Sequence, residues 1–170
     1  MNENIHPLLI GAAEGDMSAF GELYSLLSVR IFNYARTITG NKEVAEDITH
    51  DVFIQILKNA QRLAKAPNPM GYIMVTARNC AFDCLKRGKR ADIPLEHIAE
   101  ASDAESLHTR LFVEDAFSRL PANQRETMYL YHICGFSQKE VAQIMGAPLP
   151  TVKWRCGKAL AQLQDYFQKD

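Results

Sequence analysis

The chain has 170 residues, 47% of them hydrophobic and 23% charged, the balance of a soluble globular protein with room for one ordinary domain or two small ones. No apolar run approaches the roughly 18 residues of a membrane span, because HPLLIGAA is stopped by Glu14 and Asp16, and the N-terminus lacks the basic start of a signal peptide. A cytoplasmic protein without membrane insertion is therefore expected, and a net charge of −1 argues against a protein that coats nucleic acid with its whole surface.

The distribution of charge says more than its sum. Met1 to Ala60 holds eight acids against four bases, whereas Arg78 to Arg90 holds five bases (Arg78, Lys86, Arg87, Lys89, Arg90) against Asp83 alone. Ala91 to Asp115 is acidic again, with seven acids and only Arg110. One concentrated basic stretch in a near-neutral chain points to a local anion-binding surface, although such a run can also be plain solvated surface. Cys80, Cys84, Cys134 and Cys156 have neither CxxC spacing nor a His-x3-His partner. Cys80 and Cys84 stand i,i+4 and could in principle bind metal, but reduced, half-buried thiols are the expectation.

Apolar residues recur with helical periodicity and no strand-like alternation is found, so an all-α fold is expected. Helices are predicted near 5–14, 16–39, 42–64, 69–89, 107–119, 122–134, 138–145 and 150–168. In the third, Val44, Ile48, Val52 and Ile56 form a core stripe. Glu43, Asp47, His50 and Asp51 lie opposite, together with Ile54 and Leu57; this is either an ordinary solvated face or a docking surface in which apolar residues sit among acids. The fourth helix carries Tyr72, Arg78 and Asn79 ahead of the basic run. Arg and Lys suit phosphates, and Asn suits a base edge. ADIPLEHIAEASDAES has a proline, scattered acids and no sustained apolar face, and reads as a flexible linker. The expected organisation is two small helical domains, 1–91 and 107–170, joined by the linker 92–106.

In the second half, Ser137-Gln138-Lys139-Glu140 is a capping box opening a short helix that buries Val141, Ala142 and Ile144 and stops at Gly146. A turn of three or four residues then leads to a longer helix, the spacing of a helix-turn-helix. Pro150 fits the first helical position, where its missing N–H has no intrahelical partner, and Pro148 holds the turn extended. Advancing 100° per residue, Val152, Cys156, Ala159, Leu160, Leu163 and Phe167 fall within about 60° of one direction, and Trp154 about 170° away. Trp154, with Thr151, Lys153, Arg155 and Lys158, is thereby assigned to an outward face suited to a DNA groove, and not to the core.

The run Leu120–Ala159 resembles region 4 of bacterial sigma factors, whose pattern reads LP-x3-R-E…G-x-S-x-x-E-[IV]-A…G…T-V-K-x-R; response-regulator DNA-binding domains look similar over this half. The blocks AAEGDMSAFGELYSLL, EVAEDITHDVFIQILKN and YIMVTARNCAFDCLKRGKR follow one another at the spacing of sigma region 2. The whole chain resembles an extracytoplasmic-function (ECF, group IV) sigma factor.

That resemblance implies a region 2 bundle and a region 4 helix-turn-helix, with no enzymatic activity and no cofactor or metal. It implies binding to the β and β′ subunits of core RNA polymerase, with Glu43, Asp47, His50, Asp51, Ile54 and Leu57 on the β′ docking face. Thr151, Lys153, Trp154, Arg155 and Lys158 would read the −35 promoter element. Tyr72, Arg78, Asn79, Lys86, Arg87, Lys89 and Arg90 would hold the −10 element, and Met74, Val75 and Thr76 would replace an aromatic and a cation on that helix face. An anti-sigma factor would cover these surfaces. Two other readings stand beside it: a helix-turn-helix regulator that acts without polymerase, and a sigma-like decoy that binds an anti-sigma factor.

Overall fold

The computed structural model describes residues 5–88 and 115–169. The predicted linker 92–106, residues 107–114 of the predicted helix 107–119, and Lys89 and Arg90 lie outside the described residues. The chain divides into two compact units, Met1–Ala91 and Asp92–Asp170.

The first unit contains α1 (His6–Ala13), α2 (Met17–Thr39), α3 (Lys42–Lys58), α4 (Ala60–Ala64) and α5 (Pro69–Lys86). Helix α2 is its centre and packs on α1, α3 and α5, while α1 also packs on α4 and α3 on α5. Asp16 starts α2 by accepting the Ser18 and Ala19 amides at 2.8 and 3.3 Å, and Gly40, at φ 69°, ends it. Leu9, Leu23, Leu27, Ile31, Tyr34, Ile48, Leu63 and Ile73 are fully buried. Each such aliphatic side chain contributes about 1.5–3 kcal/mol relative to exposure. The single helix expected over 42–64 is two helices. Asn59 turns back on α3, its Nδ2 donating to the Gln55 carbonyl at 2.8 Å, and at φ −114° it leaves helical geometry.

The second unit contains a helical stretch at 115–118, α6 (Ala122–Met128), a π-helical turn (Tyr129–Ile133), α7 (Gln138–Met145) and α8 (Leu149–Lys169). The predicted helix 122–134 thus changes type midway: the Cys134 amide donates to the Tyr129 carbonyl at 3.0 Å, and the extra residue leaves Ile133 60% exposed while Leu130 and Cys134 stay inside. The Ser137–Glu140 capping box forms as expected. Gly146, at φ 60°, closes α7 in a Schellman motif, with the Ala147 amide on the Ala142 carbonyl at 3.0 Å and the Gly146 amide on that of Gln143 at 3.3 Å. Helix α8 starts one residue before the expected Pro150. The Pro148 carbonyl accepts the Thr151 and Val152 amides, so Pro148 serves as the helix entry and Pro150 occupies the second helical position, where an N–H is equally unneeded.

Arg125 ties the entrance of this unit together. Its guanidinium donates to the carbonyls of Phe117, Ser118 and Leu120 at 3.2, 2.9 and 3.0 Å, satisfying backbone acceptors where the 115–118 stretch ends. Burial pulls its pKa below the ordinary arginine value, and it stays charged. Arg125→Ala is expected to destabilise the second unit by about 2–3 kcal/mol, read by urea unfolding followed by far-ultraviolet circular dichroism of the helices.

The far end of α8 is clasped to the same stretch. Tyr166 donates its hydroxyl to Asp115 at 2.6 Å, Arg119 donates to the same carboxylate oxygen at 3.0 and 2.9 Å, and the Arg119 guanidinium lies 4.9 Å from the Tyr166 ring centre. The Tyr166 hydroxyl first, and then Arg119, hold the Asp115 carboxyl below its ordinary 3.8. A carboxylate lowered in the folded state adds stability that is complete above the unfolded pKa and lost as pH falls through the folded one. Asp115→Asn should therefore lose less thermal stability than the natural chain between about pH 5 and 3, measured by circular dichroism melts.

Candidate nucleic-acid interface

Helix α8 presents two faces. Val152, Cys156, Ala159 and Leu163 are buried, and Ala159 and Leu163 pack with Ala116, Leu120 and Met128, with Phe117 and Tyr166 against them. Leu160 and Phe167, expected in this core, are instead 40% and 44% exposed. Buried positions on α8 advance by alternating steps of four and three, from 152 to 156, 159 and 163, and the half-buried Tyr166 continues the series. This seam keeps to the centre of the apolar face and leaves its 160/167 edge outside. On the opposite side Trp154 is 56% exposed. Lys153 and Lys158 are exposed beside it, Thr151 and Arg155 are half-buried, and a Cβ placed on Gly157 would meet nothing within 4 Å. The five residues expected on the outward face are thus gathered within two turns of the helix-turn-helix's second helix.

In the first unit, α3 buries Val44, Ile48, Val52 and Ile56 and exposes Glu43, Asp47, His50, Asp51, Ile54 and Leu57. Residues 43, 47, 50, 54 and 57 repeat by four and three, making one continuous acidic and apolar stripe about 21 Å long. Asn41 caps this helix through the Val44 amide at 3.0 Å.

Helix α5 is capped by Asn68, which accepts the Gly71 amide at 2.8 Å. Tyr72 is half-buried, and Asn79, Lys86 and Arg87 are exposed. Arg78 is half-buried with its guanidinium 4.5 Å from the Phe82 ring centre, and Lys86 lies 3.7 Å from Asp83. Met74 does not belong to the surface: it is fully buried in the first unit's core, so its flexible chain fills space there and takes nothing from an exposed face. Val75 and Thr76 are half-buried, and Thr76 donates its hydroxyl back to the Tyr72 carbonyl at 3.0 Å.

The cysteines are free thiols, Cys80 and Cys84 half-buried and Cys134 and Cys156 buried. Burial, with the nearby negative charge of Asp51, Cys84 and Asp83, pushes the Cys80 thiol above its ordinary value, and burial does the same to Cys156. Both therefore stay protonated, the inert form of a thiol. Among the described residues no group of three His, Cys, Asp or Glu side chains could hold a metal ion, and no helix is long and apolar enough to cross a membrane.

Residues 23–91 match the family model Sigma-70 region 2, and residues 113–163 match Sigma-70, region 4. The ECF RNA polymerase sigma factor BldN of Streptomyces coelicolor is 28% identical over 165 residues, covering 89% of this chain and 62% of its own length. The ECF RNA polymerase sigma factor SigM of Mycobacterium tuberculosis is 27% identical over 158 residues, covering 92% of this chain and 81% of its own. The chain is an extracytoplasmic-function sigma factor of the sigma-70 family.

Its fold is also that of CnrH, solved in complex with the cytosolic domain of CnrY, with a TM-score of 0.70 at 22% identity over 99% of each chain. Sigma factors are non-enzymatic transcription initiation factors. In this sigma factor α3 and α5 lie within the region 2 match and α6 to Leu163 within the region 4 match; α1 and the first residues of α2 precede both. Two residues that shape these surfaces received no role from the sequence. Arg125 stood in the LP-x3-R-E pattern but has no apolar period to betray it, and Arg62 carries no motif at all. Trp154 is expected to emit as a solvated indole open to acrylamide, and to be shielded when a duplex carrying the −35 element binds. Unchanged quenching on binding would place the indole away from DNA.

Proposed function

We propose that this sigma factor binds core RNA polymerase and directs it to promoters, reading a −35 element with α8 and holding an opened −10 element with α5 and the loop before it. The observation that carries the reading is Trp154, outward and flanked by Lys153, Arg155 and Lys158 on the second helix of a helix-turn-helix within the region 4 match. The three cations suit phosphates and base edges, and a chain of net charge −1 then binds DNA through this patch and not indiscriminately. For the −10 element the proposed set is Tyr72, Arg78, Asn79, Lys86, Arg87, Lys89 and Arg90. The α3 stripe of Glu43, Asp47, His50, Asp51, Ile54 and Leu57 docks on a cationic, apolar surface of the polymerase β′ subunit, and the second unit on β. Domains 1–91 and 107–170 on a linker 92–106 can reach the two promoter elements separately, and the place of action is the cytoplasm. An anti-sigma factor controls the protein by covering the same faces, a role suggested by the CnrH–CnrY complex.

In vitro transcription with core polymerase over a genomic promoter pool tests this directly, and absence of initiation at every promoter rejects it. Specific retardation of a promoter by the free chain would favour a regulator that acts without polymerase. Lys153→Ala or Arg155→Ala should lower −35-dependent initiation roughly tenfold with core affinity unchanged. Asp47→Arg should do the reverse, weakening core binding by placing like charge on the cationic surface while DNA contacts remain.

A further inference from the structure

Arg62, on α4, has its guanidinium carbon 5.1 Å from the centre of the Tyr72 ring on α5. The two belong to different helices, and both are held firmly. On one side α1 packs on α4: Ala60 and Leu63 are buried, and His6 Nδ1 donates to the Ala64 carbonyl at 3.0 Å. On the other side Asn68 caps α5, and a Cβ on Gly71 would stand 2.9 Å from Asn68 Nδ2, so a larger residue there would push the capping side chain aside. Helix α1, which precedes the region 2 match, thus anchors the turn that carries Arg62.

The charge of the chain around this turn is one-sided in sequence. Residues 52–82 contain no Asp or Glu and four cations, Lys58, Arg62, Lys65 and Arg78. Arg62 and Lys65 are exposed on the same short turn, and Tyr72 beside them is half-buried. A guanidinium stacked on a ring keeps its N–H donors in its own plane, an arrangement that meets a phosphate edge-on in two parallel hydrogen bonds. The ring also restrains a long side chain that would otherwise lose rotamer entropy on binding.

We infer that Arg62, stacked on Tyr72, is a phosphate-binding residue for unpaired DNA, and that the pair forms one clamp at the α4–α5 loop. The guanidinium takes a backbone phosphodiester, Lys65 adds charge at the same turn, and Tyr72 is kept in place for the neighbouring base. This rests on the proposed reading of α5 and its loop as the holder of the opened −10 strand.

The test uses the full chain bound to core polymerase and a fluorescent fork-junction DNA, with duplex −35 and single-stranded −10 segments taken from a promoter active in the genomic pool. Arg62→Ala should weaken fork binding five- to tenfold and lower the slope of log affinity against log salt by about 0.7, the contribution of one single-strand phosphate contact. Affinity for a duplex carrying the −35 element alone should not change, and Arg62→Lys should restore the salt slope but not the full affinity. The losses from Tyr72→Ala and Arg62→Ala should be less than additive in the double variant, because the ring holds the guanidinium for the phosphate. An unchanged affinity for Arg62→Ala, or a loss with an unchanged salt slope, overturns the inference; the second result would make Arg62 only a prop. If the natural chain with core polymerase holds no fork DNA at all, the proposed function itself fails, and the two failures are thereby told apart.

Discussion

Val44, Ile48, Val52 and Ile56 turn one side of α3 into the core, and the same partition is made along α5 and α8. Units this small bury a modest fraction of their surface, and while the central α2 is enclosed along its last turns, α3, α5 and α8 each commit one side to the interior. That constraint makes the opposite faces available and sets what stands on them. On α3 the outward repeat at 43, 47, 50, 54 and 57 joins acids to apolar residues. On α8 the outward side carries Trp154 among cations, because the seam from Val152 to Leu163 has turned it away from the core. The exposed pattern on each of these helices is the complement of its packing pattern.

Orientation of these faces depends on polar contacts at helix ends, where backbone groups lack intrahelical partners. Asp16, Asn41, Asn68 and Ser137 each satisfy amides at a helix start, and Gly40 and Gly146 supply left-handed closures. Arg125 gathers three carbonyls before α6, and the Asp115–Arg119–Tyr166 cluster holds the far end of α8. These contacts fix both the approach to α8 and its exit, and with them the register of its faces. The π-helical turn adds one residue to the path from α6, shifting the chain toward the start of α7 without opening the core around Leu130.

The electrostatics are local. A net charge of −1 conceals an acidic α3 face, an acid-free run from 52 to 82 and a basic end of α5. Opposite charges thus cluster on different elements, so one small unit carries both an acidic face and a basic one. Met74 contributes to this arrangement from within, since its burial leaves the polar work of α5 to Tyr72, Arg78 and Asn79.

From the amino-acid sequence alone came the all-helical fold, the ordered sigma-like blocks, the capping box, the α3 stripe and the outward position of Trp154. All of these depend on residues close in sequence, where periodicity and cap chemistry act directly. Tertiary structure decided what depends on a partner helix. Leu160 and Phe167 share a hemisphere with the α8 core yet stay exposed, because only residues 116–128 determine where that core ends. Met74 became core because α5 is packed between neighbours, and Asn59 broke a periodic helix through its own side-chain bond. The meeting of Arg62 with Tyr72 had no local signal, since it arises only when α1 and the Asn68 cap bring α4 and α5 together. Periodicity can say which way a side chain points on its own helix; only packing supplies the neighbour it meets.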